Sequence, residues 1–274
     1  MRTLVGCCLW LSDENIPHKL DRFRESAWSL NRLREQCDIT LIDNGSVDEV
    51  NTQIMDAGLL DIDRITLPRN FYDVACHLCT YWDAERRGNE FMVYSWDDFV
   101  WDDDDNWVAD CESFMDENVD VCAIRLARYV HGERTYDTRY TPKSVNQHSV
   151  RHECGAKKHA LWFDGPLLCG VHDFFRSNWR VNSFPTMWRT KDFGRFVSSL
   201  NVRVPVMQPF ERAMYDFMDA QPLWTSGVLN GGVCQTFPNV PGSSERRRQE
   251  MTTDWRKVFI NKGELREAYL RSLK

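Results

Sequence analysis

The sequence of 274 residues lacks a long hydrophobic run. No stretch reaches the roughly eighteen consecutive apolar residues that a membrane-spanning helix needs. The apolar segment near the start, TLVGCCLWL, leads into acidic residues and not into the small residues of a signal-peptide cleavage site. We therefore expect no membrane partner and a cytoplasmic location.

The sequence also lacks a repeated paired cysteine motif and a glycine-rich phosphate loop. Its ten cysteines include a single C-x-x-C pair, Cys76 and Cys79, and no second pair that would complete a structural zinc site. We interpret the cysteines as reduced core residues. The absence of a glycine-rich loop after the first apolar run argues against a nucleotidyltransferase that holds a triphosphate in that way.

The first half of the chain is acidic and the second half is basic. Residues 1–120 contain 10 Lys and Arg against 27 Asp and Glu, whereas residues 121–274 contain 24 against 14. A basic second half favours an anionic partner, although a solvated surface or mutual neutralisation of the two halves explains it as well. The pI of about 5.5 argues against a dedicated nucleic-acid-binding domain, which is usually basic throughout.

Strand-like and helix-like segments alternate through the first half. The runs TLVGCCLWL, CDITLID, IDRITLP and EFMVYSW predict strands, and residues 19–36, 46–55 and 72–87 predict helices. This alternation predicts an α/β fold with a mostly parallel central sheet flanked by helices, followed by a mixed second half. Ligands of such sheets bind at the carboxyl ends of the strands.

The segment YSWDDFVWDDDDNW places six aspartates at the end of the fourth predicted strand. Asp97 and Asp98 follow the strand directly, where hard carboxylate oxygens suit Mn²⁺ or Mg²⁺ shared with nucleotide phosphates. A cation there neutralises a departing diphosphate. The later run, residues 102–105, precedes a predicted helix, whose N-terminus acidic side chains stabilise.

The order of these segments resembles the nucleotide-binding half of glycosyltransferase family 2, which has the GT-A fold and includes small viral and phage members. The resemblance rests on LVGCCLWL, ITLIDNGSVDE and the stretch from LPRNFYDV to DDDDNW, where adjacent aspartates stand for the metal-binding D-x-D motif. It implies a nucleotide-sugar donor, most often a UDP-sugar. The donor residues that it implies are Leu9, Asp43, Asn44, Arg69, Asn70, Trp96 and Asp97, and the metal ligands are Asp97 and Asp98.

The resemblance further implies an inverting transfer, whose catalytic base lies in the second half. Glu211, in VMQPFERAMYDFM, opens a predicted amphipathic helix, the setting in which the family carries its acidic base. Asp173, in GVHDFF, is the second candidate for the base. The neighbouring His172 is a candidate metal ligand, with an acceptor contact and a structural role as alternatives.

Residues 174–196 combine aromatic and basic side chains. Trp179, Arg180, Trp188 and Arg189 are predicted to bind the acceptor, because aromatic rings stack on sugars or extruded bases and arginines hold phosphates. The small viral enzymes that the chain resembles glycosylate hydroxymethylated pyrimidines in DNA, so such DNA is the first acceptor considered. A saccharide or other small acceptor is an alternative, as is a non-catalytic nucleic-acid-binding protein on the same scaffold.

The pattern predicts three parts along the chain. Residues 1–125 form the donor-binding half, and residues 126–225 supply the acceptor site and the base. Residues 226–274, which begin with a Gly- and Pro-rich stretch, are expected to form a flexible loop and a helical tail.

Overall fold

In the computed structural model, the described residues are 1–12, 16–56, 58–102, 106–127, 130–131, 134–135, 162–178, 185–236 and 253–274. The helices in these ranges are α1 (Ile16–Arg32), α2 (Glu49–Asp56), α3 (Tyr72–Arg87), α4 (Trp107–Glu117), α5 (Thr190–Ser199), α6 (Gln208–Asp219) and α7 (Lys262–Ser272). The strands are β1 (Thr3–Leu9), β2 (Asp38–Asp43), β3 (Asp63–Thr66), β4 (Phe91–Trp96), β5 (Phe99–Trp101), β6 (Val121–Arg125), β7 (Val130–His131), β8 (Arg134–Thr135), β9 (Phe163–Cys169), β10 (His172–Ser177), β11 (Thr186–Arg189), β12 (Arg203–Pro205), β13 (Thr225–Leu229), β14 (Cys234–Thr236) and β15 (Phe259–Asn261).

A nine-stranded sheet organises the described part of the chain, in the order β3-β2-β1-β4-β11-β6-β13-β10-β9. Strands β10 and β11 run against their neighbours, and the other seven share one direction. The predicted α/β class, with a mostly parallel sheet that becomes mixed in the second half, is confirmed. The carboxyl ends of β1, β2 and β4 therefore lie side by side at one edge of the sheet, which we call the carboxyl edge.

Helices cover both faces of this sheet because its strands alternate apolar side chains between the faces. In β1, Val5, Cys7 and Leu9 pack into one core, whereas Leu4 and Cys8 pack into the other. The first core joins the sheet to α1, α2 and α4, and the second joins it to α3, α5, α6 and α7. Among the described residues, no helix is both long and apolar enough to cross a membrane.

The last part of the chain is built into the fold. Strand β13 lies inside the central sheet between β6 and β10, so a boundary at residue 225 passes through a strand. Helix α7 buries Leu265, Ala268 and Tyr269 in the second core. Within the part that was expected to form a flexible loop and a helical tail, residues 226–229 belong to a strand of the central sheet, and α7 is a helix that packs on the second core. The Pro-rich stretch at residues 237–252 lies outside the described residues.

The cysteines within the described ranges are buried. Cys76 and Cys79 both lie on the buried face of α3, and burial raises the pKa of both thiols. The Cys76 thiol donates to the carbonyl of Ser95 at 3.0 Å. This placement agrees with the interpretation of the pair as core residues.

Candidate functional site

The register of β1 with β2 and β4 places several of the predicted donor residues next to one another at the carboxyl edge. Leu9 is paired with Asp43 on one side of β1, and Cys8 is paired with Trp96 on the other. The amide of Asp97 donates to the carbonyl of Cys8 at 3.1 Å, which extends this ladder by one residue. Two strand spacings, about 10 Å, therefore separate the end of β2 from the end of β4. The Leu9 side chain is itself buried, so Leu9 offers only its backbone to this edge.

Asp97 and Asp98 form the turn that connects β4 to β5. Asp97 is almost fully buried, and its Oδ2 accepts a hydrogen bond from the amide of Trp10 at 3.1 Å; Asp98 is half-buried. No group of three or more His, Cys, Asp or Glu side chains suited to a metal is found in the described ranges. Mg²⁺ typically binds proteins through one or two carboxylates plus substrate phosphates, and this turn fits such a site.

Asp43 ends β2 with its carboxylate almost fully buried. Its Oδ1 accepts from the amide of Ser46 at 2.9 Å, and its Oδ2 is ion-paired with Arg64 of β3. Arg64 also donates to the side chain of Asn51 at 2.6 Å. Asp43, which is predicted to contact the nucleoside, is thus ion-paired with Arg64. A nucleoside at this end of the edge would meet Asp43 and Arg64 together.

Asn44 acts as a clamp between the end of β2 and the loop before α3. Its side-chain oxygen accepts from the amide of Phe71 at 2.8 Å, and its side-chain nitrogen donates to Asn70 Oδ1 and to the carbonyl of Tyr72 at 3.0 and 2.9 Å. Asn70 Oδ1 in turn accepts from the amide of Tyr72 at 2.7 Å. Tyr72 has a φ of +58°, which is rare for a residue with a side chain. Asn44 and Asn70 therefore shape the loop that faces the predicted nucleotide position.

The C-terminal segment borders the same loop. Arg69, predicted to contact the donor, forms a two-pronged ion pair with Glu264 of α7, with both N–O distances at 3.0 Å. The guanidinium also lies 4.2 Å from the ring centroid of Phe71. Tyr72 packs edge-on against Trp255, with ring centroids 6.1 Å apart. The structure thus gives Arg69 a protein partner that the sequence did not predict, and a donor contact would have to share Arg69 with Glu264.

Glu211 lies in the first turn of α6, where the sequence predicts a helix start. Burial raises the pKa of Tyr94 on β4, and the charge of Glu211 makes a smaller contribution in the same direction. Met207, which precedes the helix, has φ +56° and ψ −140°. Such a conformation costs on the order of 1–3 kcal/mol for a residue with a side chain, and strain of this kind often marks functional sites. Its amide donates to Asp73 Oδ1 at 2.7 Å.

His172 and Asp173 lie on β10, four strand positions from β4 in the sheet. Four strand spacings are about 19 Å, too far for His172 to share one ion with Asp97. His172 instead donates from Nδ1 to Asp110 Oδ2 at 2.8 Å, and the same oxygen accepts from the amide of Val171 at 2.9 Å. This placement corrects the interpretation of His172 as a metal ligand and supports the structural alternative.

Two of the predicted acceptor residues lie away from the carboxyl edge. Trp188 is fully buried in the second core, and its indole donates to the hydroxyl of Tyr94 at 3.3 Å. Arg189 ends β11, which runs antiparallel, so it lies at the opposite edge of the sheet. It is buried and donates to the carbonyls of Val121 at 3.1 Å and of Met115. An acceptor role for Trp188 and Arg189 therefore does not fit their positions, whereas Trp179 and Arg180 lie outside the described residues.

A cavity of about 420 Å³ lies at that opposite edge. Its lining includes Asn89, Phe91, Arg189 and Lys191, from the start of β4 and the end of β11. The cavity is therefore on the far side of the sheet from Asp97 and Asp98 and takes no part in the donor site.

The position of Arg189 leads to a stability prediction. We expect Arg189→Lys to lower the free energy of unfolding by about 1–3 kcal/mol, because a single ammonium cannot bond the carbonyls at the end of α4 that the guanidinium holds. Urea unfolding measures the change. Arg195→Lys, on the exposed side of α5, is the matched control and should stay close to the wild type. Lost acceptor binding at unchanged stability would contradict this account of Arg189.

Four residues of this region escaped the sequence analysis: Arg64, Asp73, His77 and Asp110. Arg64 meets Asp43 only through the pairing of β2 with β3, and Asp73 meets Met207 across 134 positions of sequence. No local signal marks any of these pairings, since each depends on tertiary contacts.

No protein-family model matches the chain, and no curated protein matches it. Solved structures do. A mannosyltransferase from Pyrobaculum calidifontis, in complex with GDP-Man and Mn²⁺, is 13% identical with a TM-score of 0.48, over 90% of this chain and 60% of the other. S. aureus TarS 1-349 in complex with UDP is 10% identical with a TM-score of 0.45, over 100% and 71%. A cytidylyltransferase from Leptospira borgpetersenii is 9% identical with a TM-score of 0.45, over 100% and 95%.

The chain spans only 60% of the length of that mannosyltransferase. All three TM-scores lie below 0.5. At this level of similarity, any assignment of activity has to depend on this chain's own residues.

Proposed function

We propose that the protein is a glycosyltransferase that takes its sugar from a nucleotide-sugar donor. The observation that supports this most is the register at the carboxyl edge, which aligns Asp43, the backbone of Leu9 and the Asp97–Asp98 turn on three adjacent strands. The Asp43 end is suited to the nucleoside and the Asp97–Asp98 end to the diphosphate. Their separation of about 10 Å is on the scale of a nucleotide.

The donor site that we propose depends on a divalent cation, Mn²⁺ or Mg²⁺, held by Asp98 and Asp97. Such a cation supplies charge neutralisation for the diphosphate leaving group. Asp97 is oriented for this role by the amide of Trp10, and its burial strengthens electrostatic interactions at the turn. A UDP-sugar is the donor that we test first, and the Arg64–Asp43 pair is positioned to contact its nucleoside.

Glu211 is the proposed general base of an inverting transfer. As a carboxylate at the start of α6, it would accept the proton of the acceptor hydroxyl while that oxygen attacks the anomeric carbon from the face opposite the diphosphate. Phe210, the residue before Glu211, lies with its ring centroid 5.0 Å from that of His77, and the His77 centroid lies 5.4 Å from that of Trp96, the last residue of β4. Asp173 is the second candidate.

The acceptor that we propose is DNA that carries hydroxymethylated pyrimidines. It is supported by the basic second half, with 24 Lys and Arg against 14 Asp and Glu in residues 121–274. A phosphate backbone would bind such a surface in a salt-dependent way. Transfer to hydroxymethylated DNA but not to unmodified DNA or free saccharides is the expected result, and transfer to saccharides alone would replace this acceptor.

The donor proposal is tested by thermal unfolding with nucleoside diphosphates and nucleotide-sugars, with and without Mn²⁺. A ligand that binds only the folded protein adds about 2.7 kcal/mol at a concentration near 100 times its Kd, so the midpoint should rise by several degrees. We expect this rise to require both Mn²⁺ and one nucleotide, and to be lost in Asp98→Asn. Asn keeps the size of the side chain but removes the charge that holds the cation.

Asp61→Asn is the matched control for Asp98→Asn. Asp61 is exposed at the other edge of the sheet and pairs with Arg34, so its loss should leave the nucleotide response intact. A wild-type protein that does not respond to any nucleotide would refute the donor proposal. A full response in Asp98→Asn would refute the metal role of the Asp97–Asp98 turn.

A further inference from the structure

The side chain of Asp73 connects the start of helix α6 to the loop before α3, which lies beside the carboxyl edge. Asp73 follows Tyr72 at the start of α3, and its carboxyl group lies inside the protein although the residue as a whole is half-buried. Its Oδ1 accepts a hydrogen bond from the amide of Met207 at 2.7 Å. Met207 is the residue directly before α6.

Met207 is in turn hydrogen-bonded to the first turn of α6. Its carbonyl accepts from the amides of Phe210 at 2.9 Å and of Glu211 at 3.1 Å. Its φ of +56° belongs to a region that residues with a side chain rarely adopt. A residue in this conformation persists only where surrounding contacts hold it, and the bond to Asp73 is such a contact.

The other end of this connection is the loop that Asn44 clamps. Asn44 bonds the amide of Phe71 and the carbonyl of Tyr72, the two residues before Asp73. The end of β2 therefore fixes the backbone from which the Asp73 side chain projects. The contacts run without a gap from the predicted nucleoside position to the first turn of α6.

A second contact joins the same two regions. The His77 ring, one turn after Asp73, donates from Nδ1 to the Asp73 carbonyl at 2.9 Å. Its centroid lies 5.4 Å from the ring of Trp96 and 5.0 Å from the ring of Phe210. Trp96 directly precedes Asp97, and Phe210 directly precedes Glu211. The residues next to the proposed metal ligands and next to the proposed base therefore both pack against the His77 ring.

We propose that Asp73 is a positioning residue, which holds Met207 in its strained conformation and thereby sets the first turn of α6 and Glu211 against the carboxyl edge. This inference rests on the proposed function for the role of Glu211. In this role Asp73 acts through Met207 and requires no contact of its own with donor or acceptor. A base that shifts by about 1 Å loses on the order of 100-fold in rate, so the bond to Met207 should matter mainly for kcat.

The test compares Asp73→Ala with Asp73→Asn. The alanine removes the acceptor of the Met207 amide, whereas asparagine keeps an oxygen at the same place. We expect Asp73→Ala to lower kcat by about 10- to 100-fold with little change in nucleotide affinity, and Asp73→Asn to stay within about threefold of the wild type. Equal kcat in Asp73→Ala and wild type would overturn the proposal.

Hydrogen exchange gives a readout that does not depend on the proposed activity. Amide exchange at Phe210 and Glu211 should rise by about tenfold in Asp73→Ala and stay at the wild-type rate in Asp73→Asn. If no transfer occurs even in the wild type, the glycosyltransferase proposal fails, while this exchange pattern still supports the role of Asp73 in setting α6. Unchanged exchange in Asp73→Ala would refute that role.

A second variant separates positioning from a general loss of stability. Glycine adopts positive φ without strain, so Met207→Gly reduces the need for the Asp73 contact. The double variant Asp73→Ala/Met207→Gly is expected to regain part of the lost kcat and of the lost protection. A double variant that is as impaired as Asp73→Ala alone would show that strain at Met207 is not what Asp73 controls.

Discussion

Replacing Glu211 with Gln is expected to lower kcat by a factor of about 10² to 10⁴, the range that general bases contribute. Glutamine fills the same space but cannot accept the proton of the attacking hydroxyl. Nucleotide affinity should stay within about twofold, because the proposed donor contacts come from β1, β2 and β4 and not from α6. The measurements are transfer to the acceptor, hydrolysis of the donor by water, and nucleotide binding by calorimetry.

The control for this variant lies on the same helix. Asp216 is exposed and pairs with Arg212 at 2.9 Å, so Asp216→Asn should keep both kcat and affinity near the wild-type values. If Glu211→Gln retained kcat within about threefold, Glu211 would not be the base. Asp173→Asn would then be the next variant, since Asp173 is the other carboxylate considered for this role.

The stability of the protein should respond to pH through two buried groups whose effects oppose each other. Burial lowers the pKa of His77 to about 4, and burial raises the pKa of Asp73 to about 6. The His77 ring is enclosed by Tyr94, Trp96 and Phe210, and among the described residues its Nε2 has no hydrogen-bond partner. The uncharged forms of both side chains are therefore favoured in the folded state.

The two shifts have opposite signs in their effect on unfolding. Between about pH 4 and 6.5 the unfolded chain binds a proton at His77 that the folded chain does not, so stability rises with pH in this window. Between about pH 4 and 6 the folded chain keeps a proton at Asp73 that the unfolded chain has released, so stability falls with pH there. Each effect is about 3 kcal/mol, and in the wild type the two nearly cancel.

Single variants should reveal each effect. In His77→Phe, the free energy of unfolding should fall by about 3 kcal/mol from pH 4 to pH 6, relative to the wild type. In Asp73→Asn it should rise by about the same amount from pH 4 to pH 6.5. Urea unfolding at pH 4, 5, 6 and 7 measures both, and other titrating groups cancel in the comparison. If the free energy of unfolding of either variant changed with pH as it does in the wild type, the shifted pKa of the replaced residue would be wrong.

Part of the site was readable from the sequence because its residues lie at the ends of apolar strands. Asp43 and Asp97 each follow a buried run, and parallel strands end at the same edge, so their approach follows from the pattern alone. Helix α3 was predicted with its observed bounds, 72–87, since its apolar positions recur at helical spacing. Glu211 was placed correctly at the start of a helix for the same reason.

The second half was predicted less well, because aromatic and basic side chains look alike in sequence whether they bind ligands or pack inside. Trp188 and Arg189 looked like acceptor contacts, yet β11 runs antiparallel and carries them into the core and to the opposite edge. Residues 253–274 looked like a tail because α7 is polar on most of its surface. Only the assembled fold reveals that its narrow apolar stripe packs against the second core.

The sequence by itself therefore determined the fold class, the order of the first strands and helices, and the edge at which the aspartates gather. These features depend on local periodicity and on the fixed direction of parallel strands. The tertiary structure alone decided which groups meet: the Arg64 side chain with Asp43, the Arg69 side chain with Glu264, and the Asp73 carboxylate with the backbone amide of Met207. Such contacts join residues far apart in the chain, and no local pattern encodes them because their geometry is set by how strands and helices pack together.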